Sequence, residues 1–213
     1  MSGGPMSEPT AARIKEKLAA AGLAVPDERV VSRLAEFVSL ILRWNAKVNL
    51  TSIRDEEGII SRHIIESIIV SNMIPASVTT LLDLGSGAGL PGIPIAVCHP
   101  GIEVTLAESQ NKKAAFLMEA VRVLGIRAKV HAGRAEELMQ LFDCVTLRAV
   151  DKMGAAVSAG ARLLAANGLL VLMTTAADAE RLKAAAGAGL SWGEAACLHG
   201  ANERLVEIGK KQA

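Results

Sequence analysis

The sequence of 213 residues contains no tyrosine, and aromatic residues make up only 2% of it. This scarcity excludes a nucleic-acid-binding module that stacks bases on rows of aromatic side chains. The chain also has no large excess of charge of one sign, because 23 Lys and Arg nearly balance 22 Asp and Glu and leave a net charge of +1. A strongly basic coat protein for nucleic acid is therefore excluded. Apolar residues reach 51%, which excludes a disordered chain and predicts a core of Ala, Val, Leu and Ile.

Cysteine pairs and long hydrophobic runs are absent too. Cys98, Cys144 and Cys197 are widely spaced and form no C-x-x-C pair, so we expect neither a disulfide framework nor a metal site. No apolar run approaches the roughly 18 residues of a membrane span. Residues 1–10 lack the charged and apolar regions of a signal peptide. These absences predict a cytoplasmic protein with no membrane partner.

The first third of the chain has a helical pattern. Residues 1–10 are small and polar and are predicted to be a disordered tail. Apolar residues then recur at intervals of three and four, which predicts an N-terminal helical segment over residues 11–74. Pro26-Asp27-Glu28 separates its first two helices, a third helix is predicted over Glu56–Met73, and Pro75 ends the segment.

From residue 75 the pattern changes to alternating strands and helices. This alternation predicts βαβ units, and hence a Rossmann-like, doubly wound α/β domain with a mostly parallel sheet over residues 75–213. A surface helix is expected near Ala176–Ala188, followed by a closing hairpin of Ala195–Leu198 and Arg204–Ile208. The predicted strands of the sheet are Thr80–Leu84, Glu103–Ala107, Ala128–His131, Phe142–Leu147 and Leu169–Thr174.

Glycines follow the first predicted strand, where a ligand would meet the start of the next helix. From Asp83 to Gly92 the sequence reads D-L-G-S-G-A-G-L-P-G, with Gly85 and Gly87 as its first two glycines. The dinucleotide pattern G-x-G-x-x-G fails because Leu90 stands at its last position, and no P-loop is present. The remaining pattern resembles the first motif of the class I S-adenosylmethionine-dependent methyltransferases, whose loop wraps the amino-acid part of the cofactor. A glycine-rich turn without a ligand is the alternative.

Acidic residues follow the second and third strands. Glu108 ends the second strand, where an acid can accept hydrogen bonds from both ribose hydroxyls of a nucleoside. The alternative for Glu108 is a solvated position beside a helix start. In this family of folds the loop after the third strand lies beside the adenine, which makes the Ala135 N–H or the Glu136 carboxylate its candidate partner. A charged helix start explains that loop about as well.

The fourth predicted strand leads to Arg148, at the end that faces the reactive methyl group in many methyltransferases. Cys144 lies inside this strand and follows no proline, so we expect core packing and not covalent catalysis. A guanidinium cannot act as a base, which favours a reaction that needs no proton removed first. Guanine N7 fits, because it carries a free lone pair. Arg148 can orient the base through O6, hold a phosphate or contact the cofactor; a structural arginine is the alternative.

Several segments together resemble one family, the bacterial RsmG enzymes. These are 16S rRNA guanine-N7 methyltransferases, formerly called glucose-inhibited division protein B. Many relatives carry Asp-Ser where this chain has Glu66-Ser67. The resemblance runs from Trp44 to Val150 and rests on Trp44-Asn45, Asn49-Leu50-Thr51, Arg62-His63, Glu66-Ser67, the glycine motif through Pro91-Gly92-Ile93-Pro94, Lys112-Lys113, Phe116-Leu117, Gly133-Arg134-Ala135-Glu136 and Arg148-Ala149.

The resemblance implies a cytoplasmic enzyme that uses S-adenosyl-L-methionine to make 7-methylguanosine in 16S rRNA of the small ribosomal subunit. By the same resemblance Gly85, Leu90, Ala135, Glu136 and Arg148 match cofactor-contacting positions. Two other functions remain open at this point. One is a small-molecule or protein methyltransferase of the same fold, and the other is a non-catalytic ribosome assembly factor.

Asn49 and His63 are the candidate residues on the substrate side. His63 lies among isoleucines and is either a hydrogen-bonded structural residue or part of the substrate site. Asn45, Asn49 and Thr51 belong to a turn between two helices, and this turn is expected to form part of the pocket wall as well. Because basic and acidic residues nearly balance both before and after residue 74, we expect phosphate contacts only from a local cluster of basic residues. Its candidates are Arg122, Arg127, Lys129, Arg148 and Lys210-Lys211.

Overall fold

The computed structural model describes residues 7–150, 152–198 and 203–212. A π-helical turn, Ile60–Ile64, joins the third helix to the fourth, and a 3-10 turn, Ala135–Glu137, follows the third strand. The helices are α1 (Ser7–Ala20), α2 (Glu28–Asn45), α3 (Glu56–Ile59), α4 (Ile65–Met73), α5 (Gly92–Cys98), α6 (Asn111–Leu124), α7 (Met153–Arg162) and α8 (Ala176–Ala186). The strands are β1 (Thr80–Leu84), β2 (Glu103–Ala107), β3 (Ala128–His131), β4 (Phe142–Arg148), β5 (Leu164–Thr175), β6 (Leu190–Trp192), β7 (Ala196–Cys197) and β8 (Arg204–Lys211).

The strands form one mixed sheet in the order β3-β2-β1-β4-β5-β8-β6, with β7 paired to β8. Strands β1 to β5 are parallel, and β8 runs antiparallel to β5, β6 and β7. The parallel α/β prediction and the closing hairpin are therefore confirmed. Strand order reverses between β1 and β4, which in an open α/β sheet opens a crevice at the carboxyl ends of these two strands.

Helices cover both faces of the sheet. Leu82 and Leu84 of β1 point to a core shared with α7 and α8, whereas Leu81 points to the opposite core with α5 and α6. This alternation of side chains is expected for a strand that is buried on both faces. Helices α1 to α4 join the second of these cores, through Phe37 and Ile41 of the amphipathic α2 among others. The N-terminal helical segment thus packs directly against the sheet domain.

The N-terminal segment differs from its prediction in two places. Helix α1 begins at Ser7, so residues 7–10 are helical where a disordered tail was expected, while residues 1–6 lie outside the described residues. Thr10 Oγ1 donates to Glu56 Oε1 at 2.6 Å and ties this first turn to α3. The helix predicted over Glu56–Met73 contains the π-helical turn at Ile60–Ile64. Such turns are frequent at functional sites.

No helix within the described ranges has both the length and the apolar character that crossing a membrane requires.

Candidate functional site

A cavity of about 690 Å³ lies at the carboxyl ends of β1, β2 and β4, where the strand order reverses. Its volume is in the range of sites that hold small molecules and cofactors. One wall is the glycine loop, a second is the 3-10 turn after β3, and the third comes from β4 and the N-terminal helical segment. Of the residues singled out from the sequence, the cavity is lined by Gly85, Gly87, Leu90, Glu108, Ala135, Glu136, Arg148, His63 and Lys113.

The glycine loop places open backbone against this cavity. Gly85, Gly87 and Gly89 have φ angles of +72°, +54° and +79°, a region that favours glycine. A Cβ on Gly85 would lie 2.8 Å from Val150, so this position is closed by packing. A Cβ on Gly87 would meet only the Gly85 carbonyl oxygen, at 3.8 Å. The space beside Gly87 is therefore open to a ligand, while its N–H donates to Glu108 Oε2 at 2.9 Å.

The Asp83 carboxylate, near the end of β1, links the glycine loop to β4 and to the start of α5. Its Oδ1 accepts a hydrogen bond from Thr146 Oγ1 at 2.8 Å, and its Oδ2 accepts one from the Gly92 N–H at 3.2 Å. A Cβ on Gly92 would lie 2.7 Å from that carboxylate oxygen, so the close approach requires glycine. Burial raises the pKa of Asp83 to about 6, although its hydrogen bonds oppose the shift.

We expect an Asp83→Asn variant to lose part of the pH dependence of stability. The native pKa of Asp83 lies above its usual value of 3.8, so its protonation stabilises the fold at low pH and this contribution is lost as the pH rises through 6. An amide can still accept from Gly92 and donate to Thr146. Urea unfolding at several pH values should show the parent losing roughly 1–3 kcal/mol relative to the variant between pH 4 and 7. A difference that does not change with pH would contradict this assignment.

Glu108 connects the glycine loop to the second strand. Its side chain is buried, and its Oε2 accepts from the Gly87 N–H at 2.9 Å while Oε1 accepts from the Gln110 N–H at 2.7 Å. An ionised carboxylate has about four acceptor positions, so two remain for a ligand. The residue is therefore a fixed acceptor facing the cavity, unlike a solvated position beside a helix start.

The loop after β3 supplies the next wall. Ala135 is buried and begins the 3-10 turn, and the first N–H groups of such a turn have no partner within it. Glu136 is exposed and also lines the cavity. Both positions line the same cavity as the glycine loop and Glu108.

Arg148 joins β4 to the N-terminal helical segment. Its Nη2 lies 2.7 Å from the Arg62 carbonyl oxygen, 3.0 Å from His63 Nδ1 and 2.9 Å from Glu66 Oε2. Its side chain is 15% exposed and lines the cavity. Within the described chain, Nη1 has no hydrogen-bond partner. Arg148 is thus held by one nitrogen while the rest of its guanidinium keeps unused donors.

Glu66 was not predicted as a site residue, although it binds Arg148 at the cavity. It is 1% exposed and stands between two arginines, with Arg148 on Oε2 and Arg204 Nη2 at 2.8 Å from Oε1. Burial raises the pKa of Glu66, and the positive charges of Arg148 and Arg62 oppose that shift. Arg204 opens the last strand, far away in sequence, and no motif pointed to it. The one signal in the sequence was an acidic residue among isoleucines, one helical turn after Arg62-His63.

His63 is buried within this group. Its Nδ1 faces Arg148, and its Nε2 lies 2.8 Å from Thr51 Oγ1. Burial and the charge of Arg148 lower the pKa of His63 to about 3. Asn45 organises the loop that carries Thr51, since its Oδ1 accepts from the N–H groups of Leu50 and Thr51 at 2.9 and 3.1 Å.

The structure does not bring every candidate into the cavity. Asn49 is exposed and is not among the lining residues, because its Oδ1 accepts from Arg54 Nη2 at 3.0 Å on the outside of the loop. The expectation that this turn forms part of the pocket wall therefore fails at Asn49 and is met at Thr51, which lines the cavity. Cys144 is fully buried, and burial raises the pKa of its thiol to about 12, which agrees with core packing.

The basic residues proposed as a phosphate cluster do not converge on the cavity. Arg127 Nη2 and Lys129 Nζ lie 3.7 and 2.5 Å from Glu103, near the amino end of β2 and away from the cavity. Lys211 Nζ donates to the Leu164 carbonyl at 2.7 Å. Only Arg148 of this set lines the cavity, where Arg62, Lys113, Arg134 and Lys152 are the other basic residues.

Comparison with known proteins places this geometry in context. A family model described as rRNA small subunit methyltransferase G matches residues 30–194. The chain is 40% identical over 176 residues to a protein of Stenotrophomonas maltophilia (strain K279a) named ribosomal RNA small subunit methyltransferase G, with 81% of each chain covered. A protein of Xylella fastidiosa (strain M23) with the same name is 40% identical over 159 residues, covering 73% of this chain and 74% of the other.

Solved structures show the same fold. The N-methyltransferase NodS of Bradyrhizobium japonicum WM9 in complex with S-adenosyl-L-homocysteine has a TM-score of 0.59 at 16% identity and covers 83% of this chain and 99% of its own. A 16S rRNA methyltransferase of T. thermophilus in complex with AdoMet and guanosine has a TM-score of 0.52 at 19% identity, covering 69% of this chain and 38% of its own.

Proposed function

The chain belongs to the rRNA small subunit methyltransferase G family, and from this premise we propose that it transfers a methyl group from S-adenosylmethionine to N7 of a guanine in 16S rRNA. The product is 7-methylguanosine. The observation that supports the choice of atom is a cavity with a cofactor cradle at one end and, among the described residues that line it, no carboxylate at the other.

The cradle fits S-adenosylmethionine. When bound, this cofactor supplies an electrophilic methyl group on a sulfonium. The glycine loop, where Gly85 and Gly87 line the cavity and the space beside Gly87 is open, would hold its amino-acid part together with Leu90. The free acceptor positions of Glu108 would bind the ribose hydroxyls. The Ala135 N–H or the Glu136 carboxylate would bind the adenine.

The β4 end of the cavity supports a reaction without a general base. Within the described part of the chain, the ionisable residues lining this end are Arg62, His63, Arg148 and Lys152. The pKa of His63 is lowered to about 3, so the neutral ring is a weak base at neutral pH, and its Nδ1 already faces Arg148. Guanine N7 needs no deprotonation before attack. Catalysis then rests on proximity and alignment, with Arg148 positioning the base or its phosphate.

The partner would be 16S rRNA, free or in the small ribosomal subunit, and such a substrate places the reaction in the cytoplasm. Because the basic residues do not form one large patch, few phosphate contacts are expected. The logarithm of the binding constant should therefore fall only shallowly with the logarithm of salt concentration. Fluorescence titration of labelled RNA or subunits at several salt concentrations measures this slope, and a steep dependence would contradict it.

The experiment that tests the function is a methyl-transfer assay on the purified chain. It is incubated with labelled S-adenosylmethionine and undermethylated small subunits, and the RNA is then digested to nucleosides. We expect the label in 7-methylguanosine, and label in any other nucleoside would refute N7. Transfer that survives RNase treatment of the substrate would favour a small-molecule or protein methyltransferase. Failure to bind the cofactor in calorimetry would favour a non-catalytic assembly factor.

A further inference from the structure

The loop between α2 and α3 places Thr51 on the cavity wall beside His63 and Arg148. The N–H of Thr51 is fixed by Asn45. The hydroxyl oxygen of Thr51 has two neighbours, His63 Nε2 at 2.8 Å and the N–H of Ile53 at 3.2 Å. What this hydroxyl offers to a ligand depends on where the hydrogens of His63 lie.

Arg148 determines the tautomer of His63. A guanidinium only donates, and Arg148 Nη2 lies 3.0 Å from His63 Nδ1, so Nδ1 is the acceptor in this contact. The two hydrogens of Nη2 are shared among Nδ1, the Arg62 carbonyl and Glu66, and an N–H at Nδ1 would face them donor to donor. Burial also keeps the ring neutral. This contact favours the tautomer with the single ring proton on Nε2, which then donates to Thr51 Oγ1.

Thr51 Oγ1 consequently accepts two hydrogen bonds, one from His63 Nε2–H and one from the Ile53 N–H. A hydroxyl has one hydrogen and two acceptor positions, so its capacity to accept is filled. Its own hydrogen has no acceptor among the residues that the structure describes. At the cavity wall, Thr51 is thus a donor that cannot accept.

We propose that the Thr51 hydroxyl donates a hydrogen bond to O6 of the target guanine and so selects guanine over adenine, an inference that rests on the proposed function. On this edge guanine presents two acceptors, N7 and O6. N7 must stay free to attack, which leaves O6 for the protein. Adenine presents an amino group instead of O6, and that donor would meet a hydroxyl that cannot accept. Two hydrogen-bond donors that face each other in a partly buried site would disfavour the binding of adenine.

A double-mutant cycle, in which the protein and the substrate are changed separately and together, tests this contact. The substrates are small subunits reconstituted with either guanine or 2-aminopurine at the methylated position, once that position is mapped; 2-aminopurine keeps N7 and lacks O6. On guanine, Thr51→Val should lower kcat/KM about tenfold, as expected for one hydrogen bond. Thr51→Ser, which keeps the hydroxyl, should stay near the parent. On 2-aminopurine, the parent and Thr51→Val should react at nearly equal rates.

The cycle separates recognition from a structural effect. If Thr51→Val acted only by disturbing His63 and Arg148, the same tenfold loss would occur on both substrates, which would overturn the inference. Nitrogen NMR of His63 gives an independent test, because a proton on Nδ1 would also overturn it. A parent chain that forms no 7-methylguanosine refutes the proposed function itself, whereas additive effects on a working enzyme refute only the role of Thr51.

Discussion

Replacing Arg148 by methionine should reduce methyl transfer at least about a hundredfold, the loss expected when a positioning contact beside the reacting atoms is removed. Methionine keeps much of the apolar stem and removes every donor. The fold should tolerate the change, because Arg204 still lies 2.8 Å from the Glu66 carboxylate and prevents an uncompensated buried charge. Single-turnover rates with labelled cofactor and a urea unfolding curve measure the two effects.

Arg204→Met is the matched control. It removes the other arginine from the same carboxylate, with a side chain 19% exposed against 15% for Arg148, but Arg204 does not line the cavity. We expect a comparable loss of stability and a much smaller loss of activity. If both variants lose activity equally, or if Arg148→Met turns over like the parent, Arg148 is only a structural clamp. The pKa of His63 should also rise in Arg148→Met, since a nearby positive charge is gone.

Replacing Gly87 by leucine should weaken S-adenosylmethionine binding at least about a hundredfold, because the side chain would enter the space where the cofactor must meet the main chain. The Cβ itself meets only one atom, at 3.8 Å, so the fold should survive. The remaining cost is the left-handed backbone, about 1–2 kcal/mol. Isothermal calorimetry with the cofactor and thermal unfolding measure affinity and stability separately.

Gly125→Leu controls for the backbone cost. Gly125 caps α6 with a φ of +57°, close to the +54° of Gly87, and a Cβ there would meet nothing within 4 Å. It does not line the cavity, so we expect the same loss of stability with unchanged cofactor affinity. Parental cofactor affinity in Gly87→Leu would refute the assignment of the loop.

Local signals in the sequence were sufficient for the five parallel strands and for β7 and β8, but β6 was not predicted. The first three strands have their predicted bounds because each apolar run is short and is ended by a turn or a helix start. The position of the glycine loop and of Glu108, at the carboxyl ends of β1 and β2, could be predicted for the same reason, while their role toward a cofactor stays a prediction. β5 extends further than predicted, beginning at Leu164, because Ala165, Ala166 and Asn167 lack a β-like pattern.

Contacts between distant segments could not be predicted. The π-helical turn before Glu66 breaks a helix whose apolar spacing suggests continuity. Arg204 meets Glu66 across the fold, and neither residue indicates its partner in the sequence. Asn49 was predicted on the cavity wall, but its side chain lies on the outside of the loop, where it accepts from Arg54. These are matters of tertiary packing, which residue type and spacing do not encode.

The position of β8 has a consequence for the synthesis of the protein. This strand follows every other strand in the chain, yet it lies inside the sheet between β5 and β6. During translation the edge of β5 therefore stays unpaired until β8 emerges, and open edges of this kind recruit strands of other chains. Arg204 arrives on the same strand, so Glu66 receives this cation after Arg62 and Arg148. A premature stop shortly before residue 204 would therefore leave the edge of β5 unpaired and remove Arg204 from Glu66.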